Sequence, residues 1–96
     1  MKENEKSEKE IEFDNWSSEE YCLEAVKRNG YALQYVKDQS ETVCLEAVKN
    51  DGYALRYVKD QSEAVCLEAV KRDGDALRYV KSKTVFLKVL KTIKKL

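Results

Sequence analysis

Three cysteines, Cys22, Cys44 and Cys66, stand at a constant spacing of 22 residues, and each is followed two positions later by a glutamate, Glu24, Glu46 and Glu68. Equivalent thiols could ligate a metal or pair as disulfides, and a row of carboxylates could hold a cation or move protons. The rest of the chain supplies no partner for such chemistry. There is no histidine and no Cys-x-x-Cys, so a zinc site lacks its usual ligands. Side-by-side helices lie about 8–10 Å apart, beyond the reach of about 7 Å between Cα atoms that a disulfide allows. The cysteines therefore read as small buried apolar residues, reduced as in a cytoplasmic protein. Each glutamate precedes a lysine by three (Lys27, Lys49, Lys71), which is ordinary pairing along a helix surface. With no nucleophile–base pair and no glycine-rich phosphate loop, neither an enzyme nor a cofactor is expected.

What positions these residues is a repeated unit. Cys-Leu-Glu-Ala-Val-Lys, a short polar turn ending in Gly, and Ala-Leu-x-Tyr-Val-Lys recur three times; Gly30, Gly52 and Gly74, Leu33, Leu55 and Leu77, and Tyr35, Tyr57 and Tyr79 keep the same step. On a helical wheel of the middle copy, Val43, Cys44, Leu45, Ala47 and Val48 fill one broad arc, and Glu46, Lys49 and Asn50 fill the remainder. An arc this wide suits a helix packed between two neighbours. Ser40 is the expected N-cap, with Asp38-x-x-Glu41 as an alternative start, and Ser17-x-x-Glu20 opens the first copy. The glycine after Asp51 reads as a left-handed residue closing the helix. A second, shorter helix is expected over Tyr53–Lys59, burying Ala54, Leu55, Tyr57 and Val58.

The fold class is thus all-α: a short α-solenoid-like array of three 22-residue helix-turn-helix hairpins (18–39, 40–61 and 62–81) and a C-terminal capping helix. Neither helix of a hairpin is long enough to be stable alone, so stability must come from stacking one hairpin on the next. The chain has 96 residues, no proline and no apolar run able to span a bilayer.

Zero net charge hides an asymmetry. Residues 1–20 hold eight acids and three lysines, while residues 81–96 hold six lysines and no acid. Residues 1–17 read as an acidic segment, partly disordered, whose Ile11, Phe13 and Trp16 cap the first hairpin. Residues 82–96 read as a fourth first-helix, aligned at a step of 20. Val85, Phe86, Val89, Leu90, Ile93 and Leu96 lie on one face, and Lys88, Lys91, Lys94 and Lys95 on the other.

Across residues 18 to 81, Cys-Leu-Glu-Ala-Val-Lys-x-(Asn/Asp)-Gly-x-Ala-Leu-x-Tyr-Val-Lys resembles the tandem repeats grouped as the domain of unknown function DUF4116. The resemblance implies a helical array of bacterial or large-DNA-virus type. It implies no activity and no catalytic residue.

The expected function is non-catalytic binding of another protein by a rigid helical surface, as an adaptor or as a stoichiometric inhibitor encoded by a phage or pathogen. The positions that vary between copies, Tyr31, Gln34, Tyr53, Arg56, Asp75 and Arg78, form the expected binding ridge, with Tyr31 and Tyr53 accessible and Tyr35, Tyr57 and Tyr79 in the core. Two alternatives stand beside it. Lys88, Lys91, Lys94 and Lys95 could contact nucleic-acid phosphate, or the acidic head of one copy could meet the basic tail of another in a homo-oligomer.

Overall fold

The structure, a computed structural model, describes residues 16–95, the side chain of Lys95 excepted. The parts of the N-terminal segment carrying Ile11 and Phe13, and Leu96 at the other end, lie outside the described residues. Among the described residues four α-helices and three 3-10 helices alternate: α1 (Glu19–Arg28), η1 (Gly30–Tyr35), α2 (Glu41–Asn50), η2 (Gly52–Tyr57), α3 (Glu63–Arg72), η3 (Gly74–Tyr79) and α4 (Lys83–Lys95). No strand occurs among the described residues, and no helix there is long and apolar enough to cross a membrane. Each α-helix packs on the next, each 3-10 helix lies against its own α-helix, and the first two also lie against the following α-helix and the following 3-10 helix.

The starts of the α-helices follow from serine. The hydroxyls of Ser40 and Ser62 accept from the backbone N–H of Val43 and Val65, with Glu41 and Glu63 in the first turn favouring the helix dipole. In the first copy the cap is Ser18, accepting from Tyr21 N–H, and not Ser17. The caps Ser40 and Ser62 also reach back one repeat. Ser40 Oγ donates to Glu19 Oε2 at 3.2 Å, and Ser62 Oγ to Glu41 Oε2 at 3.0 Å.

The second element departs from the expected short α-helix. It is a six-residue 3-10 helix that ends at Tyr57, two residues early. Its tighter turn has poorer hydrogen-bond geometry than an α-helix, and Gln39 and Gln61 add bonds from outside it. Gln39 Nε2 donates to Leu33 O (3.4 Å) in its own repeat and to Tyr57 O (2.9 Å) in the next, while its Oε1 accepts from Lys59 N–H (2.9 Å) and the Cys44 thiol (3.7 Å). Gln61 repeats all four bonds one step on, to Leu55 O, Tyr79 O, Lys81 N–H and the Cys66 thiol.

The glycines are also there for a different reason. None of the described glycines has positive φ. The residue that ends each α-helix, Asn29, Asp51 or Asp73, is extended, and its side chain caps the 3-10 helix in the first two copies. Gly30 and Gly52 are buried where the chain passes the end of the next α-helix. A Cβ there would stand 2.5 Å from Ala47 O or Ala69 O. Their N–H groups donate to Asn50 Oδ1 (2.8 Å) and Asp73 Oδ2 (2.9 Å) of the following repeat. Glycine is needed for close approach, not for handedness.

The interior runs continuously through the array. Val26, Leu33, Val36, Val43, Ala47, Val48, Ala54, Leu55, Val58, Val65, Ala69, Ala76 and Val89 are all buried. Leu45, in the predicted arc, is half-buried and packs against this core. Truncating Leu55 to alanine removes about 2–5 kcal/mol, the usual cost of a fully buried leucine. Helix α4 covers α3 as expected, through Val89 and the flanking Val85 and Ile93.

The close-approach account gives opposite outcomes at two equivalent glycines. Gly52→Ala is expected to lose about 1–3 kcal/mol in urea unfolding, as overpacking against rigid backbone does. Gly74→Ala, whose added Cβ meets nothing within 4 Å, is expected to match or slightly exceed the parent chain.

Candidate protein-binding ridge

The 3-10 helices lie in a row, so the residue at each repeated position falls beside its counterpart one repeat on. Gln34, Arg56 and Arg78 are exposed along this row, and Asp75 is exposed at its C-terminal end. All six predicted ridge residues lie on the 3-10 helices of this row.

Tyr31 and Tyr53, expected to be accessible, are half-buried instead. Tyr31 packs edge-to-face on Tyr57, with ring centroids 5.7 Å apart, and Tyr53 packs the same way on Tyr79 at 6.0 Å. Each pair joins one repeat to the next. The Tyr53 hydroxyl also donates to Asp75 Oδ2 at 3.3 Å. Tyr35 departs the other way. Expected in the core, it is 58% exposed, with Trp16 as its ring neighbour at 5.6 Å. Trp16 also meets Tyr21 edge-on at 5.0 Å.

The arginine of the middle repeat uses this ladder. Its guanidinium carbon lies 5.3 Å from the centre of the Tyr57 ring and 5.7 Å from that of Tyr79. Two rings from adjacent repeats hold one planar cation at the surface. In the first repeat Gln34 Nε2 donates to Tyr31 O instead.

Two other varied positions prove to be junction residues. Asn50, an exposed border residue on the wheel, gives its Oδ1 to Gly30 N–H and its Nδ2 to Lys27 O. One repeat on, these tasks are divided: Arg72 Nε donates to Lys49 O, and Asp73 accepts from Gly52 N–H. Of the four lysines expected to contact phosphate, Lys88, Lys91 and Lys94 have described side chains; they are exposed and lie apart from the ridge on a different element.

The cysteines are buried and unpaired, as the sequence suggested. They also bond: Cys44 and Cys66 donate to the junction glutamines, and Cys22 to Trp16 O at 3.4 Å. Burial pushes the Cys44 and Cys66 thiols up to about 11, with the Glu41 and Asp60 carboxylates adding to the rise at Cys44. Such thiols are poor nucleophiles. No group of three or more histidine, cysteine or acidic side chains able to hold a metal occurs among the described residues. A cleft of about 250 Å³ opens between the first two hairpins and the third helix, lined in part by Gln39, Cys44 and Ser62. The polar groups of all three are already engaged in junction bonds.

A family model described as a domain of unknown function, DUF4116, matches residues 18–62 and again 41–84, two overlapping windows that each take in two hairpins. No curated protein and no solved structure matches the chain.

The thiols set a pH dependence. Their folded-state values near 11 exceed the ordinary 9.0, so the stability they contribute is complete below about pH 9 and is lost as pH climbs through about 11. The urea midpoint of the parent chain should fall across that interval, and the fall should be shallower in a Cys44→Ala, Cys66→Ala variant.

Proposed function

The chain belongs to the DUF4116 family, a domain of unknown function, and we propose that it is a non-catalytic binding module whose row of 3-10 helices grips another protein. The observation that carries this reading is Arg56, lying over Tyr57 and Tyr79 with its guanidinium at the surface. An arginine so stacked loses little side-chain freedom on binding, and its planar donors suit a carboxylate or a backbone carbonyl. Gln34 and Arg78 extend the same line one repeat to either side, and Asp75 adds an acceptor. The three buried, unpaired thiols fit a reducing compartment, so a cytoplasmic adaptor or a stoichiometric inhibitor of bacterial or viral origin is the setting that accords best with them.

The nucleic-acid reading has less support. The lysines of α4 share their helix with exposed Leu87 and half-exposed Phe86 and Leu90, an apolar neighbourhood that suits protein better than phosphate.

Affinity capture from the native host tests the ridge. Arg56→Glu with Arg78→Glu should cut recovery of the captured protein about tenfold or more, with the circular dichroism spectrum unchanged. The stacked cation contributes only about 0.5–1 kcal/mol at an exposed site, too little for its loss to unfold the array. Undiminished capture by the folded variant would place the binding surface elsewhere.

A further inference from the structure

One junction between repeats makes a polar contact that the other lacks. Residues 31, 53 and 75 hold the same position in successive repeats, the second residue of each 3-10 helix. Between η2 and η3 that position is fully bonded: the Tyr53 ring packs edge-to-face on Tyr79, and its hydroxyl donates to Asp75 Oδ2 at 3.3 Å. Between η1 and η2 the ring contact recurs, Tyr31 on Tyr57. The carboxylate does not, because Tyr53 occupies the position that Asp75 holds one repeat on. Among the described residues the Tyr31 hydroxyl has no hydrogen-bond partner.

Arg56 stands beside this hydroxyl. Its guanidinium lies over Tyr57, the ring that Tyr31 meets, and over Tyr79. Among the described residues no carboxylate or carbonyl is bonded to its N–H groups. Its charge reaches Tyr31: partial burial pushes that phenol up, Asp51 adds to the rise, and Arg56 opposes it. Asp51 does not bar a second carboxylate here. At the next junction burial, Asp75 and Asp73 all push the Tyr53 phenol up, so the counterpart of Asp51 already shares its surroundings with Asp75.

We propose that a carboxylate of the partner protein completes this first junction, accepting from the Tyr31 hydroxyl and the Arg56 guanidinium together. The occupant is an aspartate or glutamate on an exposed segment of that partner. The inference rests on the ridge reading above and names the chemistry that the ridge takes. The contact reproduces between two proteins what Tyr53 and Asp75 make within this chain, and Arg56 adds planar, bidentate donors. Tyr57 holds the Tyr31 ring and, with Tyr79, the guanidinium, so both donors are placed before binding. Charge selects one acid over a polyanion. Asp51 and Asp75 both stand near these tyrosines, so a run of phosphates is repelled where a single carboxylate meets one cation and one phenol.

Panning a random-peptide display library on the immobilised full chain tests it. Bound peptides should be enriched in aspartate or glutamate at one aligned position. The tightest of them is then made with that acid and with its amide, and both are titrated against the parent chain, Tyr31→Phe and Arg56→Gln. Tyr31→Phe keeps the ring and removes only the hydroxyl, and Arg56 is exposed, so both variants should keep the parent's circular dichroism spectrum. On the parent the acid should bind about tenfold more tightly than the amide, as a charge-assisted hydrogen bond contributes. On Arg56→Gln the two peptides should bind alike, and on Tyr31→Phe the preference should shrink. A parent pool without acid enrichment, or a preference for the acid unchanged in either variant, would overturn the proposal. So would a polythymidine oligonucleotide that outbinds the acid peptide and is released by Arg56→Gln, since that gives the site to phosphate. Selected peptides that lack an acid yet are lost on Arg56→Gln would keep the ridge and remove only the carboxylate; peptides indifferent to Arg56→Gln would remove the ridge as well.

Discussion

The architecture depends on one constraint: each of the first two 3-10 helices passes so close to the next α-helix that part of its polar backbone is satisfied by side chains from beyond itself. Six residues of 3-10 helix leave carbonyls and N–H groups without regular partners. In a buried position each such group costs about 1–3 kcal/mol if left unpaired. Gln39 and Gln61 answer this with a single amide that serves two repeats at once. Asn50 and Asp73 answer it at the glycines. No repeat completes its own bonding, so no repeat is an independent unit, and the nearest-neighbour coupling expected of a solenoid takes a specific chemical form here.

The same constraint explains where the copies differ. The first junction uses one asparagine as donor and acceptor together; the second divides those tasks between Arg72 and Asp73. When Asp73 is drawn to Gly52 it no longer caps its own 3-10 helix, as Asn29 and Asp51 do. Substitution at these positions is exchange between two solutions of one bonding problem. After the third repeat the register shortens by two residues, and the serine–glutamate link of the earlier junctions gives way to a purely local cap, Ser82 accepting from Val85 N–H.

Much of this was legible in the residues. The 22-residue step, the apolar slots, the caps at Ser40 and Ser62, the buried thiols and the terminal helix all follow from periodicity and local preference. What was not legible depended on the neighbouring repeat. A glycine after Asp or Asn has the same sequence signature whether it is left-handed or merely crowded, and only the approach of Ala47 or Ala69 distinguishes the two. Gln39 and Gln61 sit in what reads as a polar turn, although Asp-Gln-Ser recurs unchanged in the first two turns, a signal that could have drawn attention to the glutamine. Tyr31 and Tyr35 depart from expectation because a wheel of one copy omits the neighbours: Tyr31 packs on Tyr57 of the following repeat, and Tyr35 meets Trp16. The positions that vary between copies were legible; the aromatic pairs among them, and the arginine held over two rings, were not.

The functional reading and the bonding scheme meet at the 3-10 row. The glutamines and glycines fix its spacing, and that spacing brings Tyr57 and Tyr79 together under Arg56. Amide hydrogen exchange at the three glycines tests the scheme most directly. Gly30 and Gly52, whose N–H groups are held by the following repeat, should exchange only on unfolding of the array, while exposed Gly74 should exchange at least a hundredfold faster. Equal rates at all three would mean that the junction bonds do not hold the repeats together.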